Sequence, residues 1–187
     1  MNKDEIRRRV RAQKSVLDDT ERLQAAERVF EAVKRMAAFT MAENILLYHS
    51  LPDELSTREF LQECAPQKHF FLPRVNGLNL EILPYDRSRL HLGAFRIEEP
   101  DGTETVSVDD IDLIIVPAVA YDRRGNRVGR GKGYYDRLLS TATRAVTVGV
   151  CYSFQLVDEI DAEPHDVAVD FVVADGSEPI RTRRRRR

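Results

Sequence analysis

The sequence predicts an α/β fold: a single domain on a mostly parallel, doubly wound sheet with helices on both faces, in a three-layer Rossmann-like arrangement. Three observations predict it. Short β-branched runs recur along the chain and alternate with amphipathic segments of helical period. One run, DLIIVP at 112–117, is apolar through its centre, as a strand covered on both faces must be. The 187 residues, 42% of them hydrophobic, suffice for one sizeable core, and no long linker or internal repeat divides them.

The elements follow in order. Two helices come first, with Ile6, Val10 and Leu17 on one face and Leu23, Ala26, Phe30, Val33 and Ala37 on another. Asp18 and Glu21 stand at capping-box spacing before the second. Residues 44–49 read as the first core strand, and Ser56 with Glu59, again at capping-box spacing, opens a helix through Glu63. Strands are expected at 69–72, 78–83, 113–116, 146–151 and 171–173, and helices at 134–141 and 155–160. In such a sheet ligands lie beyond the carboxyl ends of the strands, so the loop after 113–116 is where a site belongs.

Composition narrows the function classes. No apolar run approaches the ~18 residues of a membrane span, and the charged N-terminus lacks the apolar stretch of a signal peptide, so a cytoplasmic protein is expected. The two cysteines, Cys64 and Cys151, lack metal-ligand spacing and read as buried thiols. Net charge is −2, but residues 181–187 carry six arginines, so residues 1–180 sum to −8. We expect one domain over 1–180, a disordered basic tail at 181–187, no dedicated nucleic-acid partner and a monomer.

The densest chemistry is RVGRGKGYYDR at 127–137. Gly129, Gly131 and Gly133 suit positive φ and close approach of backbone N–H groups to a ligand, while Arg127, Arg130, Lys132 and Arg137 supply charge-assisted donors. With a helix starting at Tyr134, the loop is placed to bind phosphate at a helix N-terminus. Neither common phosphate motif fits: Lys132 is followed by Gly133 rather than Ser or Thr, and the alternating glycines break the dinucleotide spacing. On composition alone, a turn with solvated cations remains open.

The run VPAVAYD at 116–122, followed by GNRVGRGKGYYDR at 125–137, resembles the signature of the 5-formyltetrahydrofolate cyclo-ligase (methenyltetrahydrofolate synthetase) family. The resemblance extends to Lys3 and Arg7, to residues 50–57 with Glu54, to LPRV at 72–75 and IEEP at 97–100, and from Gln155 through His165 and Asp166 to Asp170. Ala118 and Tyr121 stand where the family more often has glycine and phenylalanine, and Arg96 where glycine is frequent; none touches the loop.

The resemblance implies an ATP- and Mg2+-dependent ligase. It would phosphorylate the formyl oxygen of 5-formyltetrahydrofolate, close the ring through N10, and release 5,10-methenyltetrahydrofolate, ADP and phosphate. It further implies that Lys3, Arg7, Arg127, Gly129, Arg130, Gly131, Lys132, Gly133, Tyr134 and Tyr135 bind ATP. The folate would meet His49, Glu54, Arg130, Gly131, Lys132, Gly133 and Tyr134. Arg130 and Lys132 would be the catalytic cations. Asp136 and Asp166 would hold Mg2+, with Asp170 a second choice to Asp166 and His165 a turn residue. The chemistry suits these residue types: i and i+4 place Lys3 and Arg7 on one helix face, carboxylates suit Mg2+, and a carboxylate such as Glu54 can accept two hydrogen bonds from an aminopyrimidine edge. Tyr48, Tyr121, Tyr134 and Tyr135 are candidates to stack on pterin or adenine, or to be half-buried core. Two other classes stay open from the residues alone: a sugar-phosphate isomerase or acyl-transfer enzyme of α/β fold, and a folate- or nucleotide-binding protein without turnover.

Overall fold

The structure, a computed structural model, describes residues 2–92 and 98–182. Arg96 and Ile97, singled out above, lie outside the described residues, as do the arginines at 183–187. In chain order the elements are α1 (Lys3–Lys14), α2 (Asp19–Lys34), α3 (Ala37–Met41), β1 (Asn44–Leu47), α4 (Arg58–Cys64), β2 (His69–Asn76), β3 (Asn79–Pro84), β4 (Leu90–Leu92) and β5 (Glu98–Pro100). There follow β6 (Leu113–Val116), β7 (Ala120–Asp122), β8 (Arg127–Val128), α5 (Tyr134–Thr141), β9 (Val146–Cys151), β10 (Leu156–Val157), β11 (Phe171–Ala174) and β12 (Ile180–Arg181).

The main sheet has seven strands in the order β12-β11-β9-β6-β1-β2-β3. Its centre, from β11 to β2, is parallel, and the hairpin partners β3 and β12 close its edges antiparallel. Period-2 alternation sends Ile45, Leu47, Leu113, Ile115, Val148 and Val150 to one face, where the apolar stripes of α2 and α4 cover them. Leu46, Ile114, Val116 and Val172 point to the other face, under Leu138 and Leu139 of α5. These are the three layers expected. From β1 the chain winds out to β2, and from β6 it winds the opposite way to β9, so the strand order reverses between β1 and β6. That switch opens a crevice beyond Leu47 and Val116.

A second sheet, β10-β7-β8, stands beside this crevice. Ile6 and Val10 of α1 are buried against its Ala120, Val128 and Val157, so α1 braces the small sheet rather than a face of the large one. Buried Asp122 builds its turn: its carboxylate accepts the backbone N–H groups of Arg124, Asn126 and Ile160 and the Asn126 side-chain amide. Tyr121 is fully buried, donates to Val116 O at 2.7 Å, and fills the space left by Gly149, where a Cβ would run into its ring.

Several expectations need correction. No helix forms at 155–160: a 3-10 turn, Ser153–Gln155, leads into β10, because Gln155 spends its amide on Ala118 O, Val119 O and Tyr152 N while β10 pairs with β7. Leu17 lies beyond the end of α1. Leu23 is 50% exposed and Ala37 belongs to α3, so the buried stripe of α2 is Ala25, Ala26, Val29, Phe30 and Val33. The capping box of Asp18 and Glu21 forms as expected. The one at Ser56 does not close on the backbone in the same way: Ser56 Oγ bonds the Glu59 carboxylate, and Thr57 is the N-cap without a side-chain cap bond. Its hydroxyl instead donates to Tyr48 O and accepts from Ser50 N, folding back the loop after β1. The disordered basic tail expected at 181–187 does not begin at Arg181, which pairs in β12, and Thr182 is buried.

Candidate functional site

Four segments meet in the candidate site: the loop after β1, the run 129–133 that leads into α5, the turn before Val167, and α1. Gly133 is the N-cap of α5 in the left-handed region, φ 69°, and Gly131 has φ 98°, so both require glycine for their backbone. Gly129 departs from the expectation of positive φ; its lack of a side chain serves space, since a Cβ would lie 3.2 Å from Arg127 Nη1.

Asp136, in the first turn of α5, and Asp166 come together although thirty residues part them in sequence. The backbone N–H of Val167 donates to Asp136 Oδ1 at 3.1 Å, which ties the two segments. Asp166 is 9% exposed at its side chain and accepts Lys3 Nζ at 2.7 Å and Glu163 N at 2.7 Å on Oδ2. Burial acts to raise its pKa, but the Glu163 N–H and the Lys3 ammonium outweigh that and hold it below the ordinary 3.8. Lys3 also meets Glu163 Oε2 at 2.5 Å. Ligand atoms of Glu163, His165 and Asp166 lie within 4.8 Å of one another, and His165 is exposed. Asp136 and Asp166 line one groove, Asp136 outside that cluster, and carboxylates are the hard-oxygen donors that a Mg2+-type cation takes. Asp170 is not among them: its carboxylate accepts the Thr147 N–H and hydroxyl, fixing β9 against β11 at the amino ends of the strands.

The expected nucleotide residues fall into two groups. Arg7 donates from Nε to Gly129 O at 3.0 Å and from Nη1 to Asp4, so α1 grips the loop. Arg127 is buried in β8, 5% exposed, with Nη2 2.7 Å from Asp136 Oδ1 and its Cζ 5.9 Å from the Tyr135 ring centroid. The contact with Asp136 is an ion pair without hydrogen-bond alignment, since Arg127 Nε and Nη2 find no acceptor. In contrast Gly131 and Lys132 are exposed, and among the described residues Lys132 has no side-chain ion pair. Tyr134 lies under the Arg137 guanidinium at 5.5 Å, and Arg137 is tied to Leu78 O and Lys132 O. Tyr135 is half-buried, its hydroxyl pKa raised by burial.

Across the crevice, Glu54 accepts Leu51 N on Oε2 and faces Arg130 on Oε1, at 3.2 Å from Nη2; the same Nη2 meets Asp53 at 2.7 Å. Burial acts to raise Asp53, but Lys14 and Arg130 outweigh it and hold that carboxyl below its ordinary range. A cavity of about 390 Å3 lies here, lined by Arg7, Lys14, Asp53 and Arg130, and a larger groove of about 1150 Å3 runs from Gly133, Asp136 and Asp166 along α5. The His49 side chain is 8% exposed; Nε2 is 3.2 Å from Glu98, Nδ1 is buried without a partner, and burial lowers its pKa. Tyr48 and Tyr121 are core residues whose hydroxyls bond Leu55 O and Val116 O, which leaves Tyr134 and Tyr135, in the first turn of α5, as the stacking candidates.

Sequence reasoning missed Glu163, Asp53 and Lys14. Proximity to a residue already singled out is the advance signal for Glu163, three before Asp166, and for Asp53, next to Glu54; Lys14 carries none.

Comparison with known proteins bears on this arrangement. The profile of the 5-formyltetrahydrofolate cyclo-ligase family matches residues 1–175. The 5-formyltetrahydrofolate cyclo-ligase of Haemophilus influenzae is 29% identical over 172 residues, covering 87% of this chain and 92% of that protein. The mouse protein of the same name is 27% identical, covering 92% of this chain and 91% of its own. A solved structure of 5,10-methenyltetrahydrofolate synthetase from Aquifex aeolicus superposes with a TM-score of 0.88 at 34% identity, covering 100% of this chain and 96% of that one. With a family profile that spans residues 1–175 and that structural match, the chain belongs to the 5-formyltetrahydrofolate cyclo-ligase family of enzymes.

Proposed function

We propose that the protein uses ATP and Mg2+ to convert 5-formyltetrahydrofolate to 5,10-methenyltetrahydrofolate. The observation that carries this reading is the reach of the glycine-rich run: its Arg130 meets Glu54, and its Gly133 starts α5 in the groove that Asp136 and Asp166 also line. A phosphate chain and a folate can therefore meet end to end at Arg130 and Lys132.

The formyl oxygen attacks the γ-phosphorus of ATP, the bond to the β–γ bridging oxygen breaks, and ADP leaves. N10 then attacks the activated formyl carbon and loses its proton, and the carbon–oxygen bond breaks to release phosphate. Little covalent work falls to the protein, and holding the two reactants in line is worth roughly 7 to 11 kcal/mol. Exposed Lys132 and half-exposed Arg130 neutralise charge on the transferring phosphoryl group. N–H groups of 129–135 cradle the phosphates, with Lys3 and Arg7 facing them from α1. Asp136 and Asp166 hold Mg2+, which offsets phosphate charge when bound; buried Arg127 orients Asp136 from beneath. Glu54 accepts hydrogen bonds from the pterin, and the unpartnered Nδ1 of His49 offers it one more polar contact.

The test is to mix the protein with 5-formyltetrahydrofolate, ATP and Mg2+ and follow the absorbance of the methenyl product. The reading predicts a rise that disappears when either ATP or Mg2+ is omitted. No rise with folded protein contradicts it.

A further inference from the structure

The two carboxylates assigned to the metal each face a cation of the chain itself, and the two cations differ in one respect. Arg127, against Asp136, is 5% exposed and built into β8. It has nowhere to go. Lys3, between Asp166 Oδ2 at 2.7 Å and Glu163 Oε2 at 2.5 Å, sits in the first turn of α1 with 19% of its side chain exposed. Its backbone is held, because Ile6 and Val10 lock α1 onto the small sheet, yet its four-carbon stem can swing. Arg7, one turn further on, is braced by Gly129 O and Asp4.

We propose that Lys3 is a resident counter-ion that occupies the metal's side of Asp166 and must leave it for the metal to enter, taking the phosphates of the nucleotide as its next partner. This rests on the reading of Asp136 and Asp166 as metal ligands. An ammonium and a divalent cation repel one another at contact distance, so metal arriving alone must displace Lys3 from Asp166 and leave that ammonium without a partner to replace it. Nucleotide arriving alone must draw Lys3 away from two acids and leave those acids bare. Arriving together, each ligand supplies what the other displaces: metal goes to Asp166, phosphate to Lys3. Metal and nucleotide therefore bind as a coupled pair, and the coupling is reciprocal. Lys3 thereby guards the site against metal without nucleotide, a role separate from its contact with ATP.

The test is direct binding of Mn2+, followed by electron paramagnetic resonance, to the full chain, to Lys3→Met and to Lys3→Met/Asp166→Asn, each checked for native circular dichroism. Without nucleotide, Lys3→Met is expected to bind Mn2+ about fivefold more tightly than the parent, the scale of a partly exposed ion pair. The same variant should bind metal-free ATP more weakly, and a non-hydrolysable ATP analogue should improve its Mn2+ affinity by a smaller factor than in the parent. The double variant should lose the gain. Equal Mn2+ affinity in parent and Lys3→Met overturns the inference and leaves the metal assignment standing; a gain that survives Asp166→Asn overturns the inference and removes Asp166 from the metal ligands. Failure of every protein to bind Mn2+, with or without the analogue, overturns the metal assignment and the inference together.

Discussion

Lys132 differs from the other cations of the crevice in having no internal partner among the described residues, whereas Lys3, Arg7, Arg127 and Arg130 all lean on acids or carbonyls of the chain. A cation without a partner needs no rearrangement to meet developing charge. Lys132→Ala should therefore lower kcat by about 10²- to 10³-fold, while 5-formyltetrahydrofolate affinity, measured by calorimetry, changes far less. Full activity in that variant would remove Lys132 from the chemistry. His49 permits a second prediction. Burial comes first among the influences on it and lowers its pKa below 6.5, with Glu98 opposing and Arg58 assisting. The unfolded chain then binds more protons below pH 6.5 than the folded one, so stability falls as pH drops through that range. Urea unfolding at pH 7.5 and 5.5 should show a loss that shrinks in His49→Gln; an equal loss in both proteins assigns the effect elsewhere. Lys132 and Glu54 were legible in the sequence because they stand in or beside a signature. Glu163 and Asp53 were not, because a loop acid has no periodicity and its partners are set only by the fold.

The element on which the site depends most is the small sheet, whose β8 runs directly into the glycine-rich loop. Asp122 is its keystone, buried with four donors on one carboxylate. Asp122→Ala leaves those donors short of an acceptor and should cost about 3 kcal/mol or more, read from urea unfolding, with Asp122→Asn recovering part of it. A cost below about 0.5 kcal/mol, the range of ordinary surface changes, contradicts that role. This sheet was also the least legible element. β7, β8 and β10 are two or three residues long, too short for period-2 alternation to register, and Gln155 reads as a helix former until its amide is seen holding Ala118 and Val119. Elements marked by their own residues were plain: β6, α5 and β9 have the bounds their patterns predicted, because a strand covered on both faces and a helix preceded by Gly133 are marked locally.

For the whole molecule, the parallel order and the reversal between β1 and β6 bring together segments from four parts of the chain: α1, the loop after β1, the glycine-rich run and the 163–167 turn. The alternation of strands and helices indicated the layers, and the rule of carboxyl ends indicated the edge. The joining of Asp136 to Asp166 through Val167 N required the fold. Because acids and cations here neutralise one another, ligands that enter together should stabilise the molecule by more than the sum of their separate effects. At 100 times its dissociation constant, Mg2+ with a non-hydrolysable ATP analogue should add about 2.7 kcal/mol and raise Tm by about 5 to 10 °C. Shifts with either component alone that sum to the joint shift would contradict this. The central claim is that the site transfers phosphate from ATP to the formyl oxygen, and the most direct measurement follows that oxygen. When 5-formyltetrahydrofolate carrying 18O in its formyl group is turned over with ATP and Mg2+, mass spectrometry should find the label in the released phosphate; unlabelled phosphate alongside methenyl product would contradict the account.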